Sequence, residues 1–268
     1  GINRMSSILE VKALTIQHSS SDLRLVHPMS LTLNKGEVLA LVGASGSGKS
    51  LVAQALLHIL PANLTWKGEI SFRGNILNNK NIHQYRGKSM VYIPQSVDAL
   101  DPFLKIGKQL KQLTPTHLGR KEIVEALKEL GLQKSVLSKY PFELSGGQAR
   151  RVLVLIALMS EAELIVADEP TPGIGEQATD DFSKLLISKR DNGKAVFLIT
   201  HDLELATRVA TKIAVMKDGK MVDIIPASWL QKESAEMKNL HPYTLELWNS
   251  LPKNLDAKRW LHATRPSN

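Results

Sequence analysis

Cysteine is missing from the 268 residues, which excludes disulfides, thiolate zinc sites, iron–sulfur clusters and thiol nucleophiles. Aromatic residues reach only 5%, too few for a surface whose main task is stacking nucleic-acid bases. No apolar run approaches the roughly 20 residues that span a bilayer. The densest one, Val152 to Met159, is followed by Ser160, Glu161 and Glu163 and is expected to be a buried helix. A dense block of one charge is also lacking. The formal +8 is spread along the chain with a mild rise after Lys232, most simply a solvated basic surface. Against these absences stand 43% hydrophobic and 22% charged residues, enough for one large α/β domain or one with an inserted lobe. Gly1 to Arg4 are expected to be non-native, with Met5 the natural start.

Leu9 to Thr15 and Met29 to Leu33 read as short strands around a polar turn at Ser19 to Asp22. Val38 to Val42 is an apolar strand that enters a glycine-rich loop. The chain then continues with helical spacing from Ser50 to Leu60, stopping at Pro61. Leu164 to Ala167 and Ala195 to Ile199 are two further apolar strands, each followed by helix-starting residues, a pattern of parallel sheet covered on both faces. Between Pro94 and Arg150, Ile106 to Leu113 and Lys121 to Leu130 have helical periodicity, with Gly131 as a C-terminal stop. The tail from Ser228 to Leu251 holds two helix-like pieces broken at His241-Pro242.

Gly43-Ala44-Ser45-Gly46-Ser47-Gly48-Lys49-Ser50 fits G-x-x-x-x-G-K-[ST]. The glycines let backbone N–H groups turn inward onto phosphate oxygens, and the helix that follows points its positive end at the same anion. Lys49 is expected to reach the β- and γ-phosphates of a nucleotide and the Ser50 hydroxyl to join Mg²⁺. Leu164 to Ala167 ends in Asp168-Glu169. A carboxylate at the end of a buried strand can hold Mg²⁺, which suits Asp168, while Glu169 would point elsewhere and could polarise the attacking water.

Leu144-Ser145-Gly146-Gly147-Gln148 opens the apolar helix. Two glycines after a serine at a helix start form a second anion-binding nest. In the order phosphate loop, LSGGQ, DE strand, the chain resembles the ATP-binding subunits of ABC transporters over nearly its whole length. The resemblance implies an α/β fold: a P-loop NTPase core with a mostly parallel sheet, an N-terminal antiparallel β subdomain and an inserted helical lobe. Residues 5–95 and 151–225 would form the core, 96–150 the lobe with its signature, and 226–268 a C-terminal helical extension. It further implies two subunits packed head to tail, so that Ser145, Gly146, Gly147 and Gln148 of one close over ATP held by the other. Gln95 matches the glutamine linking the site to the lobe and joins Ser50 and Asp168 as an expected Mg²⁺ contact. His201 matches the histidine that contacts the γ-phosphate. Lys49, Gln95, Glu169 and His201 are thus the expected catalytic set.

Two departures from the family pattern stand out. After Glu169-Pro170 the residues Pro172-Gly173-Ile174-Gly175-Glu176 put Gly175 where the family has an aspartate that communicates between the two ATP sites, so coupling between sites is in doubt. The family stacks adenine on an N-terminal aromatic, and the nearest match is His18, which implies loose choice between ATP and GTP. Asp98 to Phe103 with Ile106-Gly107-Lys108-Gln109-Leu110, and His241-Pro242-Tyr243-Thr244 with Leu251-Pro252, are similar to the importer class for oligopeptides, dipeptides and nickel. The absence of cysteine resembles that class's shorter members, several of which serve nickel or metallophore uptake. The implied partners are a second ATP-binding subunit, identical or not, two integral-membrane permease subunits and, indirectly, an extracytoplasmic solute-binding protein, with no nucleic acid. The implied location is the inner face of the cell membrane. An exporter ATPase, or an ABC-type ATPase acting on nucleic acid or ribosomes, are the alternative readings. The import-like segments disfavour the first, and the single modest lobe without zinc ligands disfavours the second.

Overall fold

The structure, a computed structural model, describes residues 7–170 and 175–254. Strands β1 (Ser7–His18) and β2 (Arg24–Asn34) form a hairpin, longer at both ends than the apolar runs within them. β3 (Val38–Val42) leads into α1 (Lys49–Leu56); β4 (Leu64–Phe72) and β5 (Asn75–Ile76) follow, then α2 (Ile82–Tyr85) and β6 (Met90–Ile93). A helical stretch carries α3 (Ile106–Leu113), α4 (Arg120–Glu129) and α5 (Gly146–Met159). β7 (Leu164–Asp168), α6 (Glu176–Asp191), β8 (Ala195–Thr200), α7 (Leu203–Val209), β9 (Lys212–Lys217), β10 (Lys220–Pro226), α8 (Ser228–Gln231) and α9 (Pro242–Asn249) complete the order.

Among the described residues there are two sheets. One is antiparallel in the order β2-β1-β4-β5, and the other runs β10-β9-β3-β8-β7-β6. In the second sheet every neighbouring pair is parallel except β10 with β9. Its central strands are buried on both sides, so their side chains divide between two cores. Val38, Ala40 and Val42 of β3 face the core shared with α5, α6 and α7, whereas Leu39 and Leu41 face the core shared with α1 and the antiparallel sheet. The parallel stack therefore sets the carboxyl ends of β3, β7 and β8 side by side, the edge where α/β proteins bind ligands. A bidentate pair, Arg73 with Glu163 at 2.5 and 2.7 Å, ties the end of β4 to the start of β7.

One helix departs from its sequence pattern. Spacing carries α1 to Leu60, yet it ends at Leu56 because His58 turns left-handed at φ 57°. The His58 ring stands edge-on to Trp66 at 5.2 Å and its Nδ1 lies 3.3 Å from Asn79 Oδ1. Tertiary contacts with the antiparallel sheet override the local periodicity. At the other end of the chain, His241 caps α9 and Pro242 takes its first turn, where a missing N–H costs nothing.

Candidate active site

The turn from β3 into α1 is shaped by close packing. A Cβ at Gly43 would lie 2.4 Å from the Met216 carbonyl oxygen, so only glycine fits there. Lys49 is 5% exposed, and its ammonium donates to the carbonyls of Gly43 at 2.5 Å and Ala44 at 3.0 Å. Burial pulls the Lys49 pKa below its ordinary value, with the charges of Glu169 and then Asp168 opposing that. The loop is also gripped from far along the chain. Gly219 N–H donates to the Ser47 carbonyl at 3.0 Å, and Ala44 N–H donates to the Tyr243 hydroxyl at 3.3 Å. Tyr243 belongs to the His-Pro-Tyr-Thr segment. Asp223 Oδ2 anchors that segment by accepting from His241 N–H at 2.8 Å and Thr244 Oγ1 at 2.6 Å.

At the end of β7, Asp168 is 1% exposed. Ser50 Oγ donates to its Oδ1 and Tyr92 Oη to its Oδ2, each at 3.2 Å. Burial raises its pKa, and these hydrogen bonds and Arg150 only partly offset that. Tyr92 is raised as well, first by burial and then by Asp168. Glu169, 7% exposed, has φ 46°, a left-handed backbone that costs a non-glycine residue on the order of 1–3 kcal/mol. It is held there from several sides. Its N–H donates to Ile199 O at 2.8 Å, and its Oε2 lies 2.9 Å from Nδ1 of His201.

Leu25, Ser45, Gly46, Gly48, Lys49, Ser50, Leu51, Gln95 and Glu169 line one cleft of about 240 Å³. Phosphate loop, strand end and the turn after β6 therefore converge as their order in the sequence implies. Leu25 on β2 is a lining residue that no motif marks.

Ser145 to Gln148 do not line that cleft. They start α5 with Ser145 as N-cap: Gln148 N–H donates to Ser145 Oγ at 3.1 Å and Ser145 N–H to Gln148 Oε1 at 3.0 Å. The reciprocal cap uses those two donors and leaves the N–H groups of Gly146 and Gly147, at the first helical positions, without a carbonyl one turn back. Ser145 and Gly146 are exposed, so the helix presents them outward. His18, at the end of β1, is not among the cleft residues either. Residues 172–174 lie outside the described residues. Gly175 caps α6 at φ 83°, a conformation an aspartate rarely adopts, so the departure seen in the sequence matches the backbone.

A family profile described as ABC transporter matches residues 26–172, more than half of the chain. Among curated relatives, the metal-staphylopine import system ATP-binding protein CntD of Staphylococcus aureus is 34% identical over 81% of this chain and 85% of its own. The oligopeptide transport ATP-binding protein OppD of Haemophilus influenzae is 32% identical over 98% of this chain and 84% of its own. The nickel import system ATP-binding protein NikD of S. aureus is 34% identical over 90% and 95%. Among solved structures, an ABC transporter ATP-binding subunit superposes with TM-score 0.73 at 23% identity, over 90% of this chain and 99% of that one. A dimeric bacterial ABC transporter cassette gives TM-score 0.70 at 23% identity, over 82% and 99%. On profile, identity and coverage together, this chain belongs to the ABC transporter ATP-binding family.

Proposed function

We propose that the chain is the ATP-hydrolysing subunit of an importer for small solutes such as peptides, nickel or metal chelates. The observation that carries the ATPase reading is the single cleft that gathers the phosphate loop, Gln95 and Glu169, with Asp168 bonded to Ser50 at its edge. Backbone donors of residues 43–50 bind and orient the polyphosphate, and Lys49 shifts from the loop's own carbonyls onto the β- and γ-phosphates. Ser47 Oγ, buried with no protein partner, is a further donor within the loop. Mg²⁺ fits the donor set. Ser50 and Asp168 offer hard oxygens 3.2 Å apart, and the Asp168 carboxylate is desolvated with its pKa raised, so a cation offsets a charge the fold leaves poorly solvated. Gln95, which lines the same cleft, would complete the set. When bound, the ion neutralises charge on the phosphates. Glu169 orients and polarises the attacking water, while His201, bonded to it and more than half exposed, faces the γ-phosphate.

The nest at Ser145 to Gln148 lies away from this chain's own cleft and points outward, which suits closure over ATP held by a second subunit packed head to tail. A structural neighbour of the same fold is a dimer, which is in keeping with pairing of two subunits. His18 would stack the base. The helical stretch would receive the permease. Phe103 and Phe142 are 86% and 78% exposed there, and a neighbouring hollow of about 880 Å³ is lined by Lys108, Lys111, Arg120 and Lys134. No helix of the described residues is long and apolar enough to cross a membrane, so passage of solute falls to the permease subunits. The names of the import relatives favour this reading over export or work on nucleic acid.

The test is uptake of labelled nickel, a nickel chelate and a labelled oligopeptide in a strain lacking this chain. Loss of one of them, restored by the wild-type chain, is expected. Unchanged uptake of all three, joined with ATPase activity stimulated by nucleic acid, would hand the case to the alternative. A narrower expectation concerns Tyr243. Removing its hydroxyl in Tyr243→Phe leaves Ala44 N–H without that acceptor and should weaken ATP binding about 2- to 10-fold, the worth of one neutral hydrogen bond. Titration with a fluorescent ATP analogue reads this directly, and unchanged affinity would remove the tail from the nucleotide site.

A further inference from the structure

Arg150 lies in the first turns of α5 and is only 3% exposed. Its Nη1 donates to the carbonyl of Pro94, the residue before Gln95. Its Nη2 donates to the carbonyls of Asp168 at 2.8 Å and Glu169 at 2.5 Å. Nε has no protein partner, so the grip is made by the two terminal nitrogens. One guanidinium therefore joins the helix that begins at Ser145, the turn that carries Gln95 and the strand end that carries both carboxylates.

The chemistry of this contact is specific. Arginine presents its donors in a rigid planar fork and stays charged, so it fixes acceptors in place rather than following them. All three acceptors are main-chain carbonyls, so the contact sets where the backbone runs, whatever the side chains are doing. The Glu169 backbone is the strained one, at φ 46°, and a strained conformation persists only where the surroundings over-determine it. A buried cation is not the simplest way to fill this space. An apolar side chain of similar length could fill the volume, but it would leave the carbonyls of Pro94, Asp168 and Glu169 without this donor.

We infer that Arg150 is a positioning residue for hydrolysis, clamping the main chain of Glu169 and the turn before Gln95 to the helix whose start closes over the partner's nucleotide. Movement of α5 on closure is thereby delivered to the hydrolytic end of the same chain's own site. The inference rests on the proposed head-to-tail arrangement and deepens it. It supplies a mechanical link within one chain between the two ATP sites, at a position where Gly175 offers no side chain to do so.

The test uses the full chain with its membrane subunits and compares wild type with Arg150→Met and Arg150→Lys. Arg150→Met removes every donor and keeps the bulk. Its ATP affinity should stay within about threefold of wild type. Its kcat should fall on the order of 30- to 100-fold, as expected when a reacting group loses its alignment. Arg150→Lys, whose ammonium can still donate to these carbonyls, should recover part of the lost rate. A folded Arg150→Met turning over within about threefold of wild type overturns the inference. So does a joint result in which both variants lose ATP binding and melt more than about 10 °C lower, for the arginine then only holds the fold. A wild-type complex that hydrolyses no ATP would sink the proposed function and the clamp with it, whereas an active wild type beside an equally active Arg150→Met sinks the clamp alone, so the wild-type rate tells the two failures apart.

Discussion

Glu169→Gln is expected to lower ATP turnover by about 10²- to 10⁴-fold, the usual contribution of a positioned general base, while leaving ATP binding intact. The substitution keeps the volume of the side chain. It also keeps a carbonyl oxygen that can accept from His201 Nδ1, the 2.9 Å contact made by the carboxylate. The backbone hold does not involve the side chain at all, since Ile199 O accepts the residue's N–H and Arg150 donates to its carbonyl. Folding is therefore untouched, and what disappears is the negative charge that polarises water. Because ATP still binds and still draws the opposing Ser145 to Gln148 nest onto it, the variant should accumulate as an ATP-bound dimer that wild type dissolves by hydrolysis. Size-exclusion chromatography with ATP and single-turnover hydrolysis read the two halves separately. Wild-type turnover by this variant would take Glu169 out of the hydrolytic role, and a variant that stays monomeric with ATP would count against closure in trans.

What the sequence made legible divides by distance along the chain. The phosphate loop, the Asp168-Glu169 strand end and the capped start at Ser145 are local patterns whose residues carry their own geometry. The convergence of the first two follows from parallel strands, because β3, β7 and β8 must end on one edge, whereas the start at Ser145 stays apart from that cleft. The end of α1 was not legible, since it is set by His58 meeting Trp66 of the antiparallel sheet and Asn79 of the turn after β5. The role of Tyr243 was hidden for the same reason. Its motif reads as a mark of the importer class, but its hydroxyl meets Ala44 199 residues away. Arg150 was the hardest to see. In sequence it is a charge at the start of an apolar helix, indistinguishable from an exposed arginine. Only the fold shows it buried against Pro94, 56 residues earlier, and the Asp168 and Glu169 carbonyls. Leu25 carries no signal at all, because an alternating strand residue has no motif.

Lys49→Met should remove at least about 100-fold of kcat/KM for ATP, the scale of two hydrogen bonds to charged phosphate oxygens at roughly 1.5–3 kcal/mol each. The same change should not destabilise the nucleotide-free protein at neutral pH. The ammonium is nearly buried on the carbonyls of Gly43 and Ala44, and desolvation is the largest influence on its pKa, lowering it despite Glu169 and Asp168. A lysine whose folded pKa lies below its unfolded one is less favourable charged than neutral in the fold, and a methionine of similar length removes that desolvation together with the hydrogen bonds to Gly43 and Ala44. The pH dependence fixes the sign. Between the lowered folded pKa and the ordinary lysine value of 10.5 the unfolded chain binds the extra proton. Wild-type stability therefore gains on that of Lys49→Met as pH rises through this window, and the advantage of the variant shrinks. Nucleotide reverses the ranking. A ligand at 100 times its Kd stabilises by about 2.7 kcal/mol, and a 100-fold weaker site reduces that to about 0.4 kcal/mol. Thermal melts with and without ATP, at pH 7 and again near pH 10, test both parts. A variant that melts far below wild type without nucleotide would show Lys49 to be a strut of the loop, and one that keeps the full ATP-induced rise would show that the ammonium does not grip the phosphates.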